Sequence, residues 1–393
     1  MTGNLLGNHF IPTRIVFGTG KIKELSILRM PGKKALIVIS RGKSVERNGY
    51  LKILTEQLSS AGIDWEVFAE IRENPDTCNV MDGAKAARES GCDFIIGFGG
   101  GSCMDAAKAI AVMSVNKGDI WEYMTNGTGK SRRTTTKPLP VVTIPTNAGS
   151  GSSVDPWATI TNDVTQEKLG YGYSETFPVL ALIDPEIMCT VPKSYTIYQG
   201  FDIFFHAMEC YISRFANAFS DMYAREALHY WKKGFCGAVL DGSDLSSREA
   251  LALADIYASM AMCNCPVTSL HGLEHALSAV HPKLPHGAGL LLLEDAWLEH
   301  ISKYSSVADR LAEVAALVAD ESMPVVSDLR SVLNQYRKFC EMDKLCLRDF
   351  GIQPIDAEQY VQKAEEMAGD IFYSDRVRLE KENCVEIFEQ FGH

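Results

Sequence analysis

The period of the hydrophobic pattern changes near the middle of the chain, and this change constrains the fold more than any other feature. Before it, short apolar and β-branched runs alternate with amphipathic segments, and glycine or polar turns separate them. The runs predict strands at 34–39, 65–71, 93–100, 139–146, 157–161 and 179–184, with helices at 45–62 and 80–91. This alternation is typical of a parallel sheet covered by helices.

After Pro185 the strand-like runs fade, and long segments with a 3.6-residue period follow. Two prolines and the change of period coincide within residues 184–192. We therefore predict two domains, an α/β domain over residues 1–185 and an all-α domain over residues 186–393.

Composition excludes several classes of protein. The formal charge of −12 on 393 residues leaves no basic surface that would favour nucleic acid or an anionic membrane. The first residues lack the pattern of a secretory signal, and no apolar run reaches transmembrane length, so we expect a cytoplasmic protein. Eleven scattered cysteines fit reduced thiols better than a disulfide framework. The close pair Cys263 and Cys265 is interpreted as helix packing.

Two glycine-rich loops follow predicted strands. Glycines 99–101 and Ser102 stand between a buried strand and an alanine-rich helix, where they would let the backbone approach a pyrophosphate at the helix start. A second loop, 144–156, follows another buried strand and would lie beside the first. The spacing is not G-x-G-x-x-G, so a tight turn without a ligand stays open as an alternative. The similar stretch 18–24 is predicted to be a turn.

Histidines and one carboxylate mark the helical half. Asp202 and His206 are four residues apart on an apolar helix, so they must pair with each other or share a cation. Four of the nine histidines fall within residues 271–286. His271, with either His281 or His286, would complete a four-ligand N/O site for a divalent transition metal. The alternative is a set of ordinary core or surface histidines.

At this point the residues resemble a known family, the iron-dependent (group III) alcohol dehydrogenases, which are relatives of glycerol dehydrogenase and dehydroquinate synthase. GGGSCMDAAK resembles the family's GGGSxxDxxK pyrophosphate motif, and PTNAGSGSS resembles its PTTAGTGSE. LHGLEHALSAVHPKLPHGAGLLLL resembles its histidine-bearing signature, and FIPTRIVFGTGKIKEL its opening hairpin. The resemblance implies a Rossmann-like α/β N-terminal domain that binds the nucleotide and an all-α C-terminal domain that binds the metal, the dehydroquinate synthase-like fold.

The resemblance also implies roles for individual residues. The family's metal ligands fall on Asp202, His206, His271 and His286, while His275 matches a histidine near the substrate that can relay a proton. His281 has no counterpart. The loops, the end of the first predicted strand and a candidate lysine give the expected cofactor-binding residues: Ser40, Gly99, Gly100, Gly101, Ser102, Asp105, Thr146, Asn147, Ser150 and Lys168.

Two departures from the family pattern affect specificity. Ser153 and Asp155 stand where the family has glutamate and threonine, so we expect one side of the substrate pocket to differ. The loop after the first predicted strand reads SRGKS, without the aspartate that binds ribose in many NAD-dependent relatives. Arg41 and Lys43 would tolerate a 2′-phosphate, so the expected cofactor is NAD or NADP.

The resemblance therefore implies a metal-dependent, NAD(P)-linked alcohol dehydrogenase that uses Fe(II), with zinc or manganese as alternatives. Its substrate would be a short aliphatic alcohol, a diol or a small anionic aldehyde such as sulfoacetaldehyde. A dehydroquinate synthase-like lyase, a glycerol dehydrogenase and a non-catalytic nucleotide sensor are the alternatives. The strand RIVF, 14–17, could pair across a homodimer or a higher homo-oligomer.

Overall fold

The computed structural model describes residues 9–319, 328–353, 356–368 and 372–391. Strands β1 to β8 are Arg14–Phe17, Lys34–Ser40, Asp64–Ile71, Phe94–Gly99, Val141–Pro145, Ala158–Asn162, Glu167–Tyr171 and Leu180–Ile183. Helices α1 to α13 are Ser44–Arg47, Tyr50–Ser60, Thr77–Ser90, Gly101–Met113, Lys193–Ile212, Ala218–Leu240, Leu245–Met262, Ser269–Val280, His286–Ile301, Ser305–Val318, Leu329–Phe339, Ala357–Ala368 and Lys381–Gln390.

Six strands form one parallel sheet in the order β1-β8-β5-β4-β2-β3, which confirms the predicted α/β domain. The inner strands are apolar throughout because both faces of the sheet are covered. In β2, Leu36 and Val38 pack into the cluster that contains α4, while Ile37 and Ile39 pack into the opposite cluster with α2. This double coverage fixes the position of the carboxyl ends of β4 and β5, which lie side by side.

Three local expectations are wrong. The strand predicted at 157–161 does not join the parallel sheet, because β6 pairs antiparallel with β7 in a separate two-stranded hairpin. The opening segment is not a hairpin, since β1 pairs in parallel with β8. The predicted turn at 18–24 continues into a 3₁₀ helix, Lys21–Ile27, which Asp184 holds by accepting hydrogen bonds from the backbone of Gly20 and Ile22.

The second half of the described chain is helical, as its period predicts. The sheet ends with β8, and α5 begins at Lys193 after a short 3₁₀ helix, Pro185–Met188. The domain boundary at residue 185 stays a prediction. Within the described ranges, no helix combines the length and the apolar character needed to cross a membrane. Strand β1 lies at an edge of the sheet, where dimer pairing through it also stays a prediction.

Candidate active site

A cavity of 2560 Å³ lies between the carboxyl end of the sheet and the helical half. The sheet contributes the ends of its strands and the turns that follow them, including Ser40, Ile71, Gly100 and Thr146. The helical half contributes residues of α5, α8 and the start of α9. The carboxyl edge of a parallel sheet is where ligands of open α/β folds bind, so the topology itself places this cavity.

The two glycine-rich loops meet at this edge, as the sequence predicts. The backbone N of Thr146 donates to the carbonyl of Gly99 over 2.9 Å. Each glycine of the first loop is required by a close neighbour: a Cβ on Gly100 would lie 3.0 Å from Asn147 Nδ2, and one on Gly101 would lie 2.6 Å from Ser150 Oγ. Gly99 adopts a φ of 152°, which other residues rarely reach. The loops therefore form one continuous wall of the cavity.

Helix α4 points its N-terminus at this wall. It begins at Gly101, one residue before the expected Ser102, with Gly100 as its N-cap. No side chain caps this end, and no acidic residue lies in the first turn. Unsatisfied N–H groups and the helix dipole make such an end attractive to a phosphate. The wall consequently has the chemistry of a pyrophosphate seat, and Gly99, Asn147 and Ser150 belong to it.

The aspartate and lysine of the GGGSCMDAAK motif hold the site together. Asp105 lines the cavity, but it already accepts hydrogen bonds from Ser152 Oγ over 2.5 Å and from the backbone N of Thr159 over 3.0 Å. Lys108 is wholly buried, and its Nζ donates to Ser152 Oγ and to Asp155 Oδ1, each over 2.9 Å. These contacts tie α4 to the second loop and to the β6–β7 hairpin.

Asp255, on α7, holds the second loop from the helical side. Its Oδ1 accepts from the backbone N of Gly149 and of Gly151, each over 2.9 Å. Burial raises the pKa of Asp255 to about 7, although the two N–H donors oppose that rise. The position of the loop therefore depends on a helix of the other half, and the sequence offered no local signal for this contact.

The four expected metal ligands converge on one carboxylate oxygen. Asp202 and His206 lie one turn apart on α5, His271 lies on α8, and His286 is the first residue of α9. The Nε2 atoms of His206, His271 and His286 lie 3.6, 3.5 and 3.6 Å from Asp202 Oδ1. One potential ligand atom from each of Asp202, His271 and His286 lies within 4.8 Å of the other two.

This arrangement fits a divalent metal ion. Asp202 Oδ1 and His271 Nε2 are buried without a hydrogen-bond partner among the described residues. Buried polar atoms that face each other unpaired are costly unless a cation lies between them. Ligand atoms about 2.1 Å from a tetrahedral ion are about 3.4 Å apart, close to the separations found here. Three imidazoles and one carboxylate suit iron, zinc and manganese.

Two buried glutamates orient the histidines. His271 Nδ1 donates to Glu209 Oε1 over 2.5 Å, and the other oxygen of Glu209 accepts from the backbone N and the hydroxyl of Thr268. His286 Nδ1 donates to Glu274 Oε2. A histidine that donates through Nδ1 presents the lone pair of Nε2 to a metal. Neither glutamate was assigned a role from the sequence, although Glu274 lies inside the HGLEH stretch.

The charges around the cluster shift the histidines in different directions. Burial alone lowers the pKa of His271, but the carboxylates of Glu209 and Asp202 outweigh it and raise that pKa to about 10. Burial lowers the pKa of His206 to about 4 despite Asp202. A metal ion bound at Nε2 of His271 would displace the proton that these carboxylates favour on that ring.

His275 lies in the cavity beside the cluster, with its ring centroid 5.5 Å from that of His286. Burial lowers its pKa well below 6.5, and the ammonium of Lys168 adds to this effect. A neutral imidazole at this position can accept a proton. Lys168, on β7, also lines the cavity, and its Nζ donates to Ser278 Oγ over 2.9 Å and lies 3.6 Å from Glu274 Oε2.

The remaining candidates are placed as follows. His281 lies outside the cluster, and its Nε2 is 2.6 Å from the hydroxyl of Tyr360. Arg41, considered for a 2′-phosphate, pairs with Glu70 over 3.0 Å. Cys265 is a free, buried thiol that packs against the end of α5. Ser40, Ser102, Thr146 and Lys168 line the cavity, and so do Arg41 and Cys265, whereas Gly99, Lys43 and His281 are not among its lining residues.

Comparisons with known proteins identify the family of this chain. Residues 12–185 match the family model of iron-containing alcohol dehydrogenase, and residues 196–391 match the C-terminal model of the Fe-containing alcohol dehydrogenase family. The chain is 29% identical to the 1,3-propanediol dehydrogenase of Citrobacter freundii over 98% of each chain. It is 30% identical to the NAD-dependent methanol dehydrogenase of Bacillus methanolicus over 91% of each.

Among solved structures, an archaeal halo-thermophilic alcohol dehydrogenase from a Red Sea brine pool superimposes with a TM-score of 0.91. It shares 29% of its sequence with this chain, and the match covers 99% of both chains. The fold and the resemblance predicted from the motifs are thereby confirmed. The chain belongs to the iron-containing alcohol dehydrogenase family and is an oxidoreductase that acts on alcohols.

Proposed function

We propose that this chain is an Fe(II)-dependent, NAD(P)-linked alcohol dehydrogenase that interconverts small alcohols and aldehydes. The observation that carries the proposal is that one cavity holds both the glycine-loop wall and the cluster around Asp202 Oδ1. A nucleotide bound at the glycine-loop wall would thus direct its nicotinamide end toward the cluster around Asp202 Oδ1. The nicotinamide and the metal ion would then both reach a substrate bound in this one cavity.

Asp202, His206, His271 and His286 would hold the metal ion, with three neutral ligands and one charge. Such an ion stays electrophilic, and its chemistry when bound is to polarise the oxygen of an alcohol or aldehyde. Glu209 and Glu274 keep His271 and His286 in the tautomer that presents Nε2. His275 receives the proton of the alcohol and passes it toward solvent.

On the nucleotide side, Gly99, Gly100, Gly101 and Ser102 leave room for the pyrophosphate at the start of α4. Thr146, Asn147 and Ser150 line the same wall, and Ser40 lies at the end of β2 where the ribose of a dinucleotide would lie. Asp105 supports the wall through Ser152, and Lys168 lies between the wall and the metal ligands.

We further propose that the α/β domain comprises residues 1–185 and the helical domain residues 186–393. All eleven cysteines are free, which supports a reducing, cytoplasmic location. The edge strand β1 supports assembly into a homodimer or higher homo-oligomer through that edge. Size-exclusion chromatography with light scattering tests the assembly directly, and a monomeric mass would contradict it.

The activity is tested by purifying the protein anaerobically, loading it with Fe(II), and assaying a panel of alcohols and aldehydes with NADH and with NADPH. We expect substrate-dependent change in the reduced-nicotinamide absorbance, abolished by chelation and restored by Fe(II). His286→Ala should lose bound metal and activity together. His281→Ala is the matched control, since His281 bonds Tyr360 outside the cluster and should retain both. Activity that survives full removal of metal would refute the proposal.

A further inference from the structure

The cavity extends past the metal ligands to a group of three arginines, which we call the arginine wall: Arg214, Arg310 and Arg376. Arg214 follows the end of α5, Arg310 lies on α10, and Arg376 precedes α13. They are 66 or more residues apart in sequence, so only the tertiary fold brings them to one surface. None of them has a role in the site described above.

Arg214 and Arg376 retain free hydrogen-bonding capacity. The guanidinium of Arg214 lies 4.3 Å above the ring of Tyr373, and it forms no ion pair with a described carboxylate. Arg376 donates through Nε to the carbonyl of Ile212 over 2.9 Å. A guanidinium carries five N–H donors, so one such bond leaves the outer fork of Arg376 available.

Arg310 is anchored but not fully satisfied. Its Nη2 donates to Asp221 Oδ1, and its guanidinium carbon lies 3.9 Å from the ring centroid of Tyr211. Its Nε is buried with no hydrogen-bond partner among the described residues. Stacking on an aromatic face holds the guanidinium plane in place without using its donors. Arg310 therefore contributes a fixed positive charge to the wall.

Nearby carboxylates do not neutralise this surface. Asp221 lines the same part of the cavity, and its carboxylate accepts a hydrogen bond from Arg310. Asp375, next to Arg376, is buried and accepts from the backbone N and the hydroxyl of Ser269 instead. Burial and the charge of Arg310 lower the pKa of Arg376. Among the described residues that line this end of the cavity, the three arginines face a single carboxylate, that of Asp221, while Glu313, near Arg310, is outside the lining and pairs with Arg225. This is a local excess of positive charge in a chain whose net charge is −12.

The distance between the wall and the metal ligands sets the size of a ligand that reaches both. Arg376 bonds to the carbonyl of Ile212, which follows His206 by six residues on α5. A rise of 1.5 Å per residue separates them by about 9 Å along the helix. A ligand that spans this distance needs a chain of several carbon atoms between its reacting end and its far end.

We propose that the arginine wall is an anion-binding subsite of the substrate cavity, and that the enzyme prefers aldehydes and alcohols with a carboxylate, sulfonate or phosphonate at the far end of such a chain. This rests on the proposed function for its reaction. The alcohol carbon gives a hydride to NAD(P)⁺ and its oxygen gives up a proton, which yields the aldehyde, NAD(P)H and H⁺. The anionic group is unchanged and only binds.

The kinetic test compares 6-oxohexanoate with hexanal, which have the same chain length and differ in the terminal carboxylate. We expect the wild-type enzyme to have the higher kcat/KM for 6-oxohexanoate, with an advantage that shrinks as ionic strength rises. Because these arginines are partly exposed, each of Arg214→Gln and Arg376→Gln should reduce the preference about tenfold, and the double variant about hundredfold. Arg330→Gln is the matched control, since Arg330 pairs with Asp295 and does not line the cavity.

A binding measurement separates this proposal from the proposed function. Adipate, titrated calorimetrically into the metal-loaded protein, should bind the wild type and Arg330→Gln, and bind the double variant at least tenfold more weakly. Arginine-dependent adipate binding without turnover of either aldehyde would refute the proposed function and support the subsite. Equal preference for both aldehydes, or adipate binding that the double variant retains, would overturn the subsite while leaving the dehydrogenase activity intact.

Discussion

Replacing Glu209 with glutamine tests how much the metal site depends on the orientation of one ligand. Glu209 is fully buried, and its two oxygens serve different partners. One accepts from His271 Nδ1, and the other accepts from the backbone N and hydroxyl of Thr268. Because the backbone N of Thr268 can only donate, a glutamine must turn its carbonyl oxygen toward Thr268. Its NH₂ group then faces Nδ1 of His271.

That contact places two donors against each other. His271 can avoid it by moving its proton to Nε2, but this removes the lone pair that would bind the metal. A buried, charge-assisted hydrogen bond of this kind is worth about 1.5–3 kcal/mol. The loss corresponds to roughly a 10- to 100-fold weaker metal affinity. The fold should tolerate the change, because the side chain keeps its volume and its contact with Thr268.

The measurement is a competition titration of the metal-free protein with Zn²⁺ or Co²⁺ against a chelator of known affinity. Glu294→Gln is the control. Glu294 is also a buried glutamate, but it forms a 3.0 Å ion pair with Arg337 and does not line the cavity. Thermal unfolding of the metal-free proteins reports any general loss of stability. Metal affinity of Glu209→Gln within twofold of the wild type, or an equal loss in Glu294→Gln, would refute the reasoning.

Three further changes probe the rest of the site. His275→Ala should reduce turnover by at least about tenfold with metal content unchanged in elemental analysis, and loss of metal would make His275 a ligand instead. Because burial raises the folded pKa of Asp255 to about 7, above 3.8, the folded state retains a proton that the unfolded state has lost. The stability of the wild type relative to Asp255→Asn should therefore fall between about pH 4 and pH 7, by at most about 1.4 kcal/mol per unit, and a flat difference in unfolding midpoints would contradict this. Gly101→Ala should weaken NAD(H) binding in fluorescence titrations, because its Cβ would lie 2.6 Å from Ser150 Oγ, and Ser150→Gly should restore binding if the clash is the cause.

The sequence predicted the positions of strands along the chain well wherever a strand is buried on both faces of the sheet. β2, β4, β5 and β8 are largely apolar runs. Such runs are typical of the inner strands of a parallel sheet, which are buried on both faces. Strand β6 was predicted wrongly as a strand of the main sheet, because a short run carries no information on which strand it will pair with. Pairing is a long-range property, and here Asp105 and Lys108 of α4 bond the start of the hairpin at Thr159 and Trp157.

The candidate site divides in the same way. The i, i+4 spacing of Asp202 and His206, and the long motif that contains His271 and His286, are local patterns, so the sequence and its resemblance to the family sufficed to predict the candidate metal ligands that the structure brings together. The partners that orient those ligands depend on how helices pack. Glu209 reaches His271 from another helix, and nothing near either residue in sequence predicts that contact.

The sequence by itself thus determined the fold class and located the candidate nucleotide loops and candidate metal ligands, because each is encoded in residues that are neighbours along the chain. Only the tertiary structure decided what surrounds them. The contact of Asp255 with the second glycine loop and the meeting of Arg214, Arg310 and Arg376 join residues from separate helices and loops. Burial and charge act through space, so the pKa values of the site and the positive surface at the far end of its cavity exist only once the helices are packed.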